Sequence, residues 1–256
     1  MDRSCVIPAY NAEPVVDESL RRLHAHLSAG PDFEILVVDD GSEDRTAQVS
    51  ERVLRELSPR HRLLRHPRNL GKGAAVRRGM LAAQGRAIAF TDADLPYDLT
   101  FLSEAFALIE ENRADVVIGD RSLPESVLRI QPSVGRRLTS LVVAFLVSRF
   151  ITPGLRDTQC GIKVFARAVV PQLFENLQVQ GFAFDIDVLQ RATRQGLSIE
   201  RLPVCLTHQG ASTIRLLRHG PQVLGDLLRL RTAGSHADDR SRTGSDAGPP
   251  TSRPGR

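Results

Sequence analysis

An α/β fold, with a mostly parallel sheet flanked by helices in a single domain, is the architecture this sequence predicts. Short apolar runs alternate with stretches of helical spacing from Cys5 to Ile118, and strands separated by helices of that length call for parallel βαβ units with both sheet faces covered. The 256 residues suit one large domain of this kind. Buried strands are expected at 5–7, 34–38, 87–90 and 115–118, and helices at 15–27, 43–57, 72–84 and 98–111. Ser42, ahead of Glu43 and Asp44, is expected to cap the second helix, with acids in its first turn favourable against the helix dipole.

After Ile118 the regularity changes. Pro124 and Pro132 interrupt the pattern, a basic-to-apolar helix is expected at about 134–151, and a loop follows over 152–161. A strand near 163–165, a helix near 185–194 and a strand over 198–206 complete a domain spanning 1–231. Residues 232–256 contain no Val, Ile, Leu, Met, Phe, Tyr, Trp or Cys, so they cannot bury enough surface to offset their ordering entropy and are expected to form a disordered tail.

Composition narrows the classes. Hydrophobic residues at 41% and charged residues at 25% exclude a collagen-like repeat and wholesale disorder. The three cysteines, Cys5, Cys160 and Cys205, form no CxxC pair, which supports neither a disulfide framework nor a zinc knuckle and suits a reducing, cytoplasmic compartment. Met1 runs almost directly into Cys5-Val6-Ile7, so no leader is expected, and no apolar run reaches the 18 residues of a spanning helix. The net charge of +4 points to an anionic partner. With no tryptophan and two tyrosines, the chain lacks the aromatic platform of a nucleic-acid binder, and none is expected as a partner.

In an open parallel sheet, ligands gather beyond the carboxyl ends of the strands. Pro8-Ala9-Tyr10-Asn11, Asp39-Asp40-Gly41-Ser42 and Thr91-Asp92-Ala93-Asp94 each follow a strand, so three polar clusters converge on one edge. Asp92 and Asp94 lie two apart and can face one cation from an extended segment, where hard oxygen ligands suit Mg²⁺ or Mn²⁺; an Asx-turn capping the next helix is the alternative. Lys72, between Gly71 and Gly73 at a helix start, either meets phosphate there or is a solvated first-turn residue.

These motifs, with Asn69-Leu70-Gly71-Lys72-Gly73, stand in the order and spacing of inverting family 2 glycosyltransferases, which have the Rossmann-like GT-A fold and use nucleotide-sugar donors. The segments Asp157-Thr158-Gln159-Cys160-Gly161-Ile162-Lys163-Val164-Phe165 and Gly181-Phe182-Ala183-Phe184-Asp185 resemble the polyprenyl-phosphate branch, dolichyl-phosphate β-glucosyltransferases most and mannosyl enzymes second. The resemblance implies transfer of a hexose, glucose favoured, from a nucleotide-diphosphate sugar (UDP-glucose favoured, GDP-mannose possible) to a polyprenyl phosphate. It puts Pro8, Tyr10, Asn11, Asp39 and Asp40 around the base and ribose, Lys72 near the nucleotide, and the metal on Asp92 and Asp94. The family's glutamate after the asparagine is replaced by Ala12, with Glu13 one position later. Arg121, Arg136 and Ser140 take the places of acceptor-phosphate ligands. Thr207 stands where a later arginine is usual, with His208 or Arg215 as its substitute.

The residues themselves agree with an anionic acceptor. Between Arg121 and Arg156 lie six arginines and one acid, Glu125, and guanidinium groups match phosphate oxygens well. Arg136 and Ser140, four apart, share a helix face, and the apolar run 141–147 beyond them either joins the core or rests at a bilayer boundary, giving a peripheral membrane protein at the inner face. A phosphate monoester is largely dianionic above pH about 6, so such an acceptor needs little base catalysis. Asp157 either positions an arginine or the sugar, structures its loop, or acts as base to a hydroxyl acceptor. Asp185 and Asp187 either cap a helix or bind sugar. A family 2 enzyme with a soluble hydroxyl acceptor and a catalytically silent nucleotide-binding protein are the alternatives.

Overall fold

The computed structural model describes residues 1–128, 155, 157–177, 179–181 and 183–207. The expected helix at 134–151, with Arg136 and Ser140, lies outside the described residues, as do His208, Arg215 and the 232–256 tail. The chain runs β1 (Arg3–Ala9), α1 (Glu13–Leu27), β2 (Phe33–Asp39), α2 (Thr46–Leu57), β3 (Arg62–Arg65), α3 (Lys72–Ala82), β4 (Ala87–Thr91), α4 (Thr100–Glu110), β5 (Val116–Asp120) and β6 (Val127–Leu128). Then follow β7 (Ile162–Ala166), a 3-10 turn (Arg167–Val169), α5 (Val170–Phe174), α6 (Phe184–Arg194), β8 (Ile199–Pro203) and β9 (Cys205–Leu206).

Seven strands form one sheet in the order β3-β2-β1-β4-β7-β5-β8, and β6 pairs with β9 in a second, two-stranded sheet. All pairings in the large sheet are parallel except those of β7, which runs antiparallel to both β4 and β5. Central strands are apolar on both faces because both faces are covered. One core packs α1, α2 and α4 on the face that carries Cys5, Ile7, Ile35, Val37 and Val164. The other packs α3, α5 and α6 against Val6, Leu36, Val38, Phe90 and Phe165. Helix α1 presents Val16, Leu20, Leu23 and Leu27 inward, the i, i+4, i+7 stripe of an amphipathic helix.

Two local expectations are corrected. Helix α2 starts at Thr46 rather than 43, because Ser42 Oγ accepts the Asn11 N–H at 2.9 Å and Asp44 takes the Thr46 N–H at 2.9 Å. The single strand expected over 198–206 divides in two. Pro203 ends β8, and the Val204 N–H turns to Ser126 Oγ at 3.1 Å, carrying the chain from β5 to β6. The short edge strand β3 and helix α5 were not singled out by periodicity, each being too brief to show a repeat.

At the end of the sheet opposite the strand carboxyl termini, His61 Nδ1 accepts the Ile35 N–H at 3.2 Å, which puts the ring proton on Nε2, 2.9 Å from His24 Nδ1. Burial, then the adjacent His24, pushes the His61 pKa down from 6.5 to about 4. The unfolded chain therefore binds this proton more tightly than the folded one between those values. Stability present above pH 6.5 is lost as the pH falls toward 4. Urea unfolding should show a lower midpoint at about pH 4.5 than at about pH 7.5, and His61→Gln should flatten that slope.

Candidate active site

Helices α1 and α2 lie on one face and α3 on the other, so the chain changes sides between β1 and β4, which are neighbours. This is a topological switch point, the crevice where open α/β sheets bind ligands. Strand β7 adds to the same edge. Because it runs antiparallel, with Thr91 opposite Ile162, its beginning lies where the other strands end. Loop 157–161 is thereby set beside the tip of β4.

At the tips of β1 and β2, Pro8 is buried while Tyr10 and Asn11 are exposed. Asn11 takes a left-handed conformation, φ 49°, and its Oδ1 accepts the Glu43 N–H at 3.0 Å. Asp39 is buried at the end of β2, its carboxylate accepting from Arg65 Nε at 2.9 Å and the Ser42 N–H at 3.2 Å. Asp40 turns inward. One of its oxygens accepts from the Leu70 N–H at 3.0 Å and sits 2.7 Å from His66 Nδ1, and the other accepts from the Gly71 N–H at 2.8 Å. Glu13 lies in the first turn of α1 and clasps Arg45, whose N–H groups hold its pKa below the usual carboxylate range. Asp40 and Glu13 thus hold loops together with their own carboxylates.

Asp40 anchors the turn that starts α3. Gly71 has φ +102°, and a Cβ there would meet the Gln180 carbonyl at 2.5 Å; no other residue type combines that backbone with that approach. The turn delivers Lys72, whose Nζ lies 2.5 Å from Asp92 Oδ1. Burial would depress the Lys72 pKa, but Asp92, Asp185 and Asp94 outweigh it and raise it, so the ammonium is firmly charged. Past Asp94 comes Leu95, fully buried at φ 44°, an uncommon conformation for a non-glycine residue and a mark of a functional turn. Gly161 passes so close to Asp92 that a Cβ would collide with its carboxylate.

Among the described residues no group of three or more His, Cys, Asp or Glu is arranged to hold a metal ion by itself. Asp92 and Asp94 sit in a turn closed by the Leu95 N–H on the Asp92 carbonyl at 3.0 Å, not in the extended segment expected; both lie close enough to raise the Lys72 pKa, and their hard oxygens suit a cation that would take its remaining ligands from diphosphate and water. Near them Asp185 is paired with a residue that spacing did not single out. Lys163, fully buried in β7, contacts Asp185 at 2.6 Å and the Cys160 carbonyl at 2.7 Å. Its signal in the sequence is a lone lysine inside the apolar run Ile162-Lys163-Val164-Phe165. Asp185 stands in the first turn of α6, near enough to feel Lys72 and Asp92, and burial raises its pKa against the pull of Lys163 and Lys72.

Arg121 follows β5 and grips Asp157 in a bidentate pair, Nε to Oδ2 and Nη2 to Oδ1, both 2.7 Å, with the Arg121 backbone N–H donating to Oδ2 at 2.9 Å. Burial would raise the Asp157 pKa, but the Arg121 guanidinium overrides it and holds the carboxyl below its usual range. Cys160, buried alongside, has its thiol pushed up to about 12 by burial and by Asp157.

This edge can be set beside known proteins. The model of the glycosyl transferase family 2 matches residues 4–174. The chain belongs to that family. A human dolichyl-phosphate beta-glucosyltransferase is 33% identical over 89% of this chain and 74% of its own length, and one from Dictyostelium discoideum is 30% identical over 89% and 73%. One from Trichomonas vaginalis is 33% identical over 82% of this chain and 65% of its own length; the chain thus spans between about two thirds and three quarters of these relatives. Glucosyl-3-phosphoglycerate synthase from Mycobacterium tuberculosis, in complex with Mn²⁺, UDP and phosphoglyceric acid, superimposes with TM-score 0.68 at 21% identity, covering 90% of this chain and 78% of that one. At that identity the likeness concerns the GT-A fold. No described helix of this family 2 chain is long and apolar enough to cross a membrane.

Asp40→Ala would leave the Leu70 and Gly71 N–H groups without their acceptor. Hydrogen bonds to a charged group contribute about 1.5–3 kcal/mol, and urea unfolding of this variant should show a loss of that order.

Proposed function

We propose that this glycosyltransferase moves a hexose, glucose favoured, from a nucleotide-diphosphate sugar to polyprenyl phosphate with inversion at the anomeric carbon. UDP-glucose is the favoured donor and GDP-mannose the second. The observation that carries the acceptor assignment is the Arg121–Asp157 pair. Both oxygens of Asp157 are engaged by one guanidinium and its pKa is lowered, which makes it a poor proton acceptor for a hydroxyl nucleophile. An acceptor that arrives already ionised needs none, and a phosphate monoester is such an acceptor above pH about 6. The names of the curated relatives support the same reading.

In this reading Pro8, Tyr10, Asn11 and Asp39 flank the base and ribose, with Glu13 and Asp40 bracing the loops around them. Asp92 and Asp94 hold Mg²⁺ or Mn²⁺, which when bound supplies charge stabilisation for the departing diphosphate. Lys72, held beside Asp92, supplies further positive charge to the diphosphate side. Arg121, kept in plane by Asp157, receives the acceptor phosphate, together with Arg136 and Ser140 from outside the described residues. One phosphate oxygen forms the new bond to the anomeric carbon as the bond to the diphosphate breaks on the opposite face. The lipid acceptor implies attachment at a membrane surface, on its inner face.

Assay of labelled UDP-glucose, GDP-mannose and UDP-GlcNAc against polyprenyl phosphate should give transfer with UDP-glucose foremost. Asp94→Asn should abolish it. Asp157→Asn should cost less than Asp94→Asn, since no proton has to be removed. Elimination of turnover by Asp157→Asn, with donor binding intact, would mean a hydroxyl acceptor instead.

A further inference from the structure

We infer that Lys163 is a positioning residue: its buried ammonium ties loop 157–161 to Asp185 and thereby fixes the loop that holds the acceptor arginine Arg121 through Asp157 and abuts the carboxylate of Asp92 through Gly161. The inference rests on the transferase reading above and adds a residue to it. Lys163 has no exposed surface and lies 5.3 Å from the centroid of the Phe90 ring, its partner across the β4–β7 ladder. A lysine so placed requires charge compensation and full hydrogen bonding. Asp185 Oδ1 at 2.6 Å supplies the charge, and the Cys160 carbonyl at 2.7 Å supplies the second bond.

That second bond gives the lysine a reach beyond the core. The Cys160 carbonyl belongs to the loop that carries Asp157 three residues earlier, the carboxylate that holds Arg121 in plane. Gly161, the next residue, is the one that abuts the Asp92 carboxylate. One ammonium therefore holds a backbone point between Asp157, on the acceptor side, and Gly161, beside Asp92.

Removing one partner of a buried ion pair destabilises strongly, whereas replacing both by apolar groups of similar shape is often neutral. The double variant Lys163→Met/Asp185→Leu therefore separates packing from positioning. It should melt close to the wild type and bind Mn²⁺·UDP in calorimetry within about twofold of it. Amide hydrogen exchange over 157–161 should quicken at least tenfold, and kcat should fall on the order of 100-fold, the usual cost of a misplacement of about 1 Å. Unchanged exchange in that loop, wild-type turnover, or a double variant that fails to fold would each overturn the inference, the last because the pair would then serve the core alone. If the wild type transfers no sugar to polyprenyl phosphate, the acceptor reading fails. Exchange in loop 157–161 still decides the role of Lys163.

Discussion

Strand β7 enters the sheet against the direction of its neighbours, and the arrangement of the edge depends on that reversal. A five-residue strand spans about 16 Å. Were β7 parallel, the loop before it would lie that far away, at the opposite end of the sheet. Because it is antiparallel, its first residue pairs with Thr91, and the segment carrying Asp157, Cys160 and Gly161 arrives at the end of β4. Two parallel halves, β3-β2-β1-β4 and β5-β8, are joined through this strand, so residues from distant parts of the chain meet at one edge.

The edge is dense in acids, and five of them face a cation. Arg65 faces Asp39, Lys72 faces Asp92, Arg121 faces Asp157, Lys163 faces Asp185 and Arg201 faces Asp120. Asp40 is compensated by backbone N–H groups and His66 instead. The pairs differ in exposure in a way that sorts their roles. Lys163 is inaccessible, while the Arg121 side chain remains 36% exposed and Lys72 20%. Cations that keep donors toward solvent can be shared between their carboxylate and an incoming anion; a buried one can only hold its neighbours in place.

Much of this was legible in the sequence, for physical reasons that also mark where legibility stops. Apart from the brief β3, the β–α alternation up to Ile118 follows from short apolar runs set between helix-length stretches of 3.6 spacing, and the Asp92 and Lys72 motifs sit where strand ends and a helix start put them. The direction of β7 was not legible, because a strand alternates identically read either way. Ser42 was misassigned as a cap because a serine before two acids has a second use, bonding Asn11 on a neighbouring loop, that depends on tertiary contact. The inward turn of Asp40 and the clasp of Glu13 on Arg45 likewise exist only once two loops have met. Lys163 did leave a local trace, a charge inside a buried strand, and such a charge implies a partner without saying which.

The central claim is that the acceptor brings its own negative charge to an arginine held by Asp157, so that no protein base is needed. The pH dependence of kcat/KM for transfer to polyprenyl phosphate tests it most directly. The account predicts a rise through the second ionisation of the acceptor, at pH about 6, and a shift of that inflection when a phosphonate of different pKa replaces the phosphate. An inflection that stays fixed when the acceptor is changed would belong to a group on the protein, and would contradict the account.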